Sequence, residues 1–233
     1  MTPSPFVAAL QDVVRDEWGR LAAVLTRQFR RLDLVEDALG DAVEAAARRW
    51  PSDGLPERPA AWLLTVARRR ILDQLRAEAM AARRHPLLVT DAEHRTDRSG
   101  VMADPGDLID DDRLRLVLLC THPALGTEGA AALALRLVLG VSTHDIARLF
   151  LVSEPTMAAR ITRAKKKITA AGIPFGIPSA TALPERLDAL ATTAYLAFTA
   201  GYAPASGDAL LRADLSGEAI RLVRVGLSLR PNE

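Results

Sequence analysis

The chain has 233 residues, 30 Lys/Arg against 29 Asp/Glu, a formal net charge of +1 and one cysteine. That length supplies the core of one or two domains, and the near-zero net charge excludes a nonspecific polycation of the histone type. The single cysteine, Cys120, excludes an intrachain disulfide and any all-cysteine zinc or iron–sulfur site.

The first residues, MTPSPFVAAL, lack both a basic segment and a long apolar run, so no signal peptide is expected. Abundant Ala, Leu, Arg and Glu, only 4% aromatic residues and short β-branched clusters predict an all-α chain. Residues 5–30 predict one or two helices with Phe6, Val13, Trp18, Leu21, Leu25 and Phe29 as apolar points. Residues 35–50, preceded by Asp33, predict another, stopped by the breaker-rich PSDGLPERP at residues 51–59. Helix resumes over residues 60–82, with Trp62, Leu63, Val66, Ile71, Leu72 and Leu75 at core spacing and Arg68, Arg69, Arg70 and Arg76 in the same run. Trp62 shares a face with Val66 and sits beside Leu63, which favours a core role over stacking on a base.

Between residues 91 and 112 acidic side chains dominate, Gly and Pro appear, and apolar periodicity is lost. This predicts a flexible acidic linker between two domains. Helices are expected over residues 113–120 and 127–139. The stretch that follows, VSTHDIARLFLVSEPTMAARITRAKKKI (141–168), reads as a helix-turn-helix. Ser142 or Thr143 begins its first helix with Asp145 close behind, and Ile146, Leu149 and Phe150 form one apolar stripe. Ser153 fits an N-cap, and Pro155 sits in the first turn, where its missing N–H costs nothing. Met157, Ile161, Ala164 and Ile168 line up as the buried side, leaving Thr156, Arg160, Arg163 and Lys167 outside. Six lysines and arginines face two acidic residues here, so the element is basic in a neutral chain. An ordinary helical hairpin with a solvated basic face carries the same short pattern.

A Gly/Pro-rich connector at residues 172–184 leads to a predicted helix around 185–199, a loop at 201–208 and a helix around 209–229. No solenoid-type repeat is present. No segment approaches the roughly 20 apolar residues that span a bilayer, so a soluble cytoplasmic protein is expected. The four histidines are scattered, without HExxH, GxSxG or P-loop patterns; no enzyme, metal or cofactor is expected.

DLVEDALGDAVEAAARRWP followed by PAAWLLTVARRRILDQLR resembles domain 2 of the extracytoplasmic-function sigma factors of bacterial RNA polymerase. DDRLRLVLLCTHPAL followed by ALALRLVLGVSTHDIARLFLVSEPTMAARITRAKKKI is similar to their domain 4. The tail from LPERLDALATTAYLAFTAGYAP onward is similar to the extension of one subgroup, in which it leads into a tetratricopeptide-like region. The resemblance implies domain 2 over residues 5–82, a linker over 83–112, domain 4 over 113–171 and a helical C-terminal extension over 172–233. The chain stops at Glu233, where the tetratricopeptide-like part should begin, so a truncated chain or a naturally short member is expected.

The resemblance also implies partners. Glu36, Asp37, Asp41 and Glu44 form an acidic edge that would dock on the clamp helices of the polymerase beta-prime subunit, with domain 4 on the beta flap. Alone, a solvated charged helix face is the lesser, competing reading of this edge. The loop from Ser52 to Glu57, with Asp53, Gly54 and Leu55, would receive a flipped base of the minus-10 element. Arg68, Arg69, Arg70 and Arg76 would hold the melted strand through phosphate contacts.

Ser153, Glu154, Thr156 and Arg160 lie in the half of the recognition helix that enters the minus-35 major groove. Arg160 could bond guanine and Glu154 could accept from cytosine, whereas Arg163, Lys166 and Lys167 suit phosphates. The extension is expected to contact domains 2 and 4.

Two departures from the family stand out. Thr199-Ala200-Gly201-Tyr202 replaces an Asn-Glu-Gly-Tyr type motif, and Cys120-Thr121-His122-Pro123 lacks the paired cysteines before His-Pro, which points to a structural role for Cys120 and His122. A one-component repressor or activator with a helical sensor domain is the alternative. It would not need the arginine-rich helix and its acidic companion. The charge asymmetry further suggests that the linker and third block restrain the two DNA-binding blocks until polymerase separates them.

Overall fold

The computed structural model describes residues 5–84 and 110–202, together with residues 217, 219, 220, 223 and 224. Among the described residues there is no strand. The α-helices run α1 (Pro5–Phe29), α2 (Leu32–Asp53), α3 (Pro59–Arg84), α4 (Asp110–Cys120), α5 (Thr127–Leu137), α6 (Thr143–Leu149), α7 (Glu154–Ala170) and α8 (Leu183–Tyr202), with a 3-10 turn at Pro123–Leu125. The all-α expectation is met.

The first three helices form a bundle. Leu32, Val35, Leu39, Ala42, Ala46 and Trp50 recur every three to four residues along α2, so one stripe of that helix is buried. It packs between Leu21 and Leu25 of α1 and Leu63, Ala67 and Ile71 of α3. Trp50 is fully buried and meets the half-buried Trp62 edge-on, with ring centroids 5.6 Å apart. The core role expected of Trp62 is what the packing shows. Arg31, just before α2, pins this helix to α3 by pairing with Asp33 at 2.7 Å and Glu78 at 3.0 Å.

One boundary differs from expectation. Helix α2 runs through Pro51 to Asp53 rather than stopping at the proline. Pro51 gives up the hydrogen bond its own N–H would have made, yet the helix continues past it, and the stop comes from Gly54. Its φ of 85° is open to glycine, and its N–H closes on the Trp50 carbonyl at 3.0 Å. The breaker-rich loop is therefore only residues 54–58, and Ser52 and Asp53 are helical.

The remaining helices form a second bundle. Five consecutive residues of α4, Leu116 to Cys120, are buried, because the helix is enclosed by α1, α5 and α8. Both ends of the expected linker are helical: α3 reaches Arg84 and α4 starts at Asp110. Asp112 is buried, paired with Arg27 at 3.0 Å and Arg115 at 2.9 Å, because its carboxylate belongs to the packed α1–α4 contact. The linker residues between, 85–109, lie outside the described residues.

Helix α8 lies on α4 and α5. The buried Arg186 donates to the Leu118 carbonyl at 2.9 Å, satisfying one of the orphan acceptors at the end of α4. Cys120 is fully buried and its thiol is pushed up by desolvation, which makes it inert. His122 caps the 3-10 turn, its Nδ1 accepting from Ala124 N–H at 3.1 Å. Burial foremost, and then the neighbouring Arg186 charge, hold its pKa below the ordinary histidine value. The helix expected to end near residue 199 continues to Tyr202, so the expected loop at 201–208 begins inside it; residues 203–208 lie outside the described residues. Of the helix expected over 209–229, Gly217, Ala219, Ile220, Val223 and Arg224 are helical and the rest lie outside.

The two bundles do not sit apart. Their buried residues form one continuous core, with α1 against α4 and α5 and α2 against α7.

Candidate nucleic-acid interface

The helix-turn-helix forms as its caps dictate. Ser142 Oγ accepts from Asp145 N–H at 3.0 Å and starts α6. Ser153 Oγ accepts from Thr156 N–H at 3.4 Å and starts α7, with Pro155 in the first turn. The corner holds Leu151 at φ 54°, a left-handed conformation for a leucine, and leaves its side chain 92% exposed. Met157, Ile161, Ala164 and Ile168 are buried, as the 3.6-residue period requires.

Helix α7 presents Ser153, Glu154, Thr156, Arg163, Lys166 and Lys167 to solvent. Several of them are engaged locally. The Ser153 and Thr156 hydroxyls share a 2.8 Å hydrogen bond, and Glu154 lies 3.4 Å from His144 Nδ1. Arg160 is the least open of the set at 22% side-chain exposure. It forms an ion pair with Glu128 of α5 at 2.9 Å and lies over the Phe150 ring at 5.7 Å. A base-reading Arg160 must first leave Glu128. Arg160, Arg163 and Lys167 line a cleft against the start of α5, residues 125–129. Arg163 and Lys167 are the cations left there for a phosphate, because Glu128 on the same wall already pairs with Arg160.

The N-terminal bundle places its predicted residues less uniformly. Ser52 and Asp53 occupy the last turn of α2, with Ser52 Oγ donating to the Arg49 carbonyl at 2.9 Å and to Asp53 at 2.8 Å. Gly54 and Leu55 follow in the exposed loop. Consecutive residues of a helix point about 100° apart, so Arg68, Arg69 and Arg70 cannot share one edge. Arg68 turns to α1, where Gln28, with its amide turned so that the oxygen faces the guanidinium, accepts at 2.8 and 3.1 Å. Arg69 is exposed, Arg70 lies 3.5 Å from Asp41 of α2, and Arg76 pairs with Asp73 at 2.9 Å.

The acidic edge of α2 splits in the same way. Asp37, Asp41 and Glu44, at spacings of four and three, remain exposed on one face, with Glu44 3.7 Å from Arg48. Glu36 points about 100° away and is only 9% exposed. Arg136 of α5 donates to its Oε1 at 2.5 Å, and Lys165 of α7 donates to its Oε2. Burial alone would raise the Glu36 carboxyl, but the Lys165 and Arg136 charges and hydrogen bonds outweigh it and hold the group below the usual range. This contact therefore contributes at pH values above the ordinary glutamate pKa and is lost as pH falls through the depressed one. Lys165 had no sequence-level role. Only its position in the triple lysine, 100° from Lys166, could have shown that it faces away from its neighbours.

The comparisons with known proteins fall on these same bundles. Residues 13–80 match the family described as Sigma-70 region 2, and residues 115–168 match Sigma-70, region 4. The chain carries a sigma-70 region 2 followed by a region 4. Residues 186–233 match a family of unknown function, DUF6596. The chain is 46% identical over 212 residues to an uncharacterized protein of Rhizobium meliloti (strain 1021), covering 90% of this chain and 49% of that protein. It thus spans about half the length of that relative. No solved structure matches the chain. The region 2 match falls within α1–α3, and the region 4 match within α4–α7 with the intervening turn. No described helix is long and apolar enough to cross a membrane.

Proposed function

We propose that the chain works as an extracytoplasmic-function type sigma factor, binding core RNA polymerase in the cytoplasm and directing promoter-specific initiation. The observation that carries this reading is the order of region 2 and region 4 on one chain. Region 4 supplies a helix-turn-helix whose basic residues Arg163, Lys166 and Lys167 are open to the phosphates of a minus-35 duplex. Region 2 supplies the Gly54–Leu55 loop for a flipped minus-10 base and exposed arginines, Arg69 and Arg76, for the melted strand. Asp37, Asp41 and Glu44 remain as an open acidic face for the basic clamp helices of the beta-prime subunit, with region 4 on the beta flap.

The tail supports placement in the subgroup with a C-terminal extension. Residues 186–233 match a family separate from the sigma regions, and α8 seats on region 4 through Arg186. A one-component regulator would use region 4 and leave region 2 without a task.

Charge reversal tests the polymerase contact. The full chain should co-elute with core polymerase in size-exclusion chromatography, and Asp37→Lys combined with Glu44→Lys should lower that affinity at least about tenfold. Loss of about 1.4 kcal/mol corresponds to that factor. Unchanged co-elution of a folded double variant would remove the acidic face from the polymerase contact.

A further inference from the structure

We propose that Leu151, at the corner of the helix-turn-helix, reads a thymine of the minus-35 element by packing its side chain against the C5-methyl group in the major groove. The proposal rests on the reading of α7 as the minus-35 recognition helix.

The corner is built as a helix stop that favours glycine. Helix α6 ends at Leu149. Past it, the Leu151 N–H donates to the Arg148 carbonyl at 3.2 Å, and the Val152 N–H donates to the Ala147 carbonyl at 3.0 Å. This paired closure holds its middle residue in the left-handed region, where a β-carbon crowds the backbone. The end of α7 closes by the same pattern, Gly172 N–H to Thr169 at 3.1 Å and Ile173 N–H to Ile168 at 3.2 Å. There the left-handed residue is glycine, at φ 59°; at the end of α6 it is leucine, at φ 54°. Among the described residues only Arg30 shares that conformation without being glycine, and its exposed charge is at home in water.

Nothing in the fold offsets the strain at Leu151. Its side chain is 92% exposed, more than any other large apolar side chain among the described residues. The half-buried Val152 beside it already supplies the corner's packing against the core. Glycine would hold the same turn with less strain and with less apolar surface in water. A leucine that strains the backbone and packs on nothing within the chain is placed to meet something outside it.

Position and chemistry together select what it meets. Leu151 lies two residues before Ser153, the N-cap of α7, and the exposed Glu154 and Thr156 follow at the end that enters a major groove first. An alkyl side chain offers nothing to a phosphate or to the hydrogen-bonding edge of a base. The apolar group that the major groove displays is the thymine C5-methyl. The scale fits as well. Along α6 and α7 no other large apolar side chain is exposed, whereas a protein partner docks on a contiguous apolar patch. One leucine matches one methyl group.

The test first lets the full chain enrich its preferred duplex from a randomised library. Each thymine of that duplex is then replaced by uracil, which removes only the methyl group. Affinity is read by fluorescence anisotropy for wild type, Leu151→Gly and Leu151→Met, and thermal unfolding is followed by circular dichroism. One replacement should weaken wild-type binding about fourfold, as expected for one buried methyl group. Leu151→Gly should bind the thymine duplex weaker than wild type by the same factor, ignore the replacement, and unfold at or above the wild-type temperature. Leu151→Met, which keeps an apolar chain, should retain the methyl preference. A methyl preference undiminished in Leu151→Gly would overturn the contact and move it to another residue. Equal binding of thymine and uracil duplexes by wild type would also overturn it; a core-polymerase affinity lowered by Leu151→Gly would then assign the leucine to a protein partner. A wild-type chain that enriches no sequence would overturn the recognition-helix reading itself, and the thymine contact with it.

Discussion

Replacing Trp50 with alanine should destabilise region 2 by about 3–5 kcal/mol, the range for removing a large aromatic side chain from a packed core. The indole is 1% exposed, closes the end of the α2 stripe and meets Trp62 edge-on. Its Nε1 has no hydrogen-bond partner, so the loss is one of packing and cavity formation. Trp50→Phe should retain much of the contact and cost less. A loss of this size is a large share of the 5–15 kcal/mol that typically separates folded from unfolded states. The effect should also reach the strand-binding side. Trp50 precedes Gly54 by one turn, and its carbonyl accepts the N–H that ends α2. Urea unfolding followed by circular dichroism checks the first claim. A Trp50→Ala loss below about 1 kcal/mol would show that this end of the core repacks freely.

The second large effect concerns salt. Converting Arg163, Lys166 and Lys167 together to alanine should flatten the dependence of log K on log salt for duplex binding by about 2.7, since each phosphate contact contributes about 0.9. Affinity should fall for all sequences alike, because phosphate contacts position the helix without reading it. Arg160→Ala should behave differently. Its guanidinium, held by Glu128 and Phe150, reaches a guanine only by exchanging those partners. The net gain on binding is correspondingly smaller than for a free arginine, but it is sequence-dependent. Competition gel shifts at two salt concentrations separate the two. Equal loss across all sequences for Arg160→Ala would remove its base-reading role. An unchanged salt slope for the triple variant would remove the phosphate contacts.

Much of region 4 was legible because its signals are local. Ser142 and Ser153 cap their helices within three residues, and the buried set Met157, Ile161, Ala164 and Ile168 follows from helical period alone. The stop of α2 was misplaced by three residues because Pro51 is the louder signal, while Gly54 holds the conformation that ends a helix. What the sequence hid were pairings across long separations. Glu36 reads as one of four equivalent acidic residues until α5 and α7, 100 and 129 residues away, are packed against it. Lys165 reads as one of three lysines, and Arg68 as one of three arginines, although adjacent helical positions face different neighbours. Asp112 read as linker because its charge is visible locally and its partner Arg27 is not.

The most direct measurement is multi-template transcription in vitro, with core RNA polymerase, a promoter library, and the full chain present or absent. Adding the protein should produce initiation from a restricted set of templates sharing minus-35 and minus-10 elements, and core polymerase alone should not. Duplex binding without promoter-selective initiation, or repression of transcription started by another factor, would contradict the sigma-factor reading.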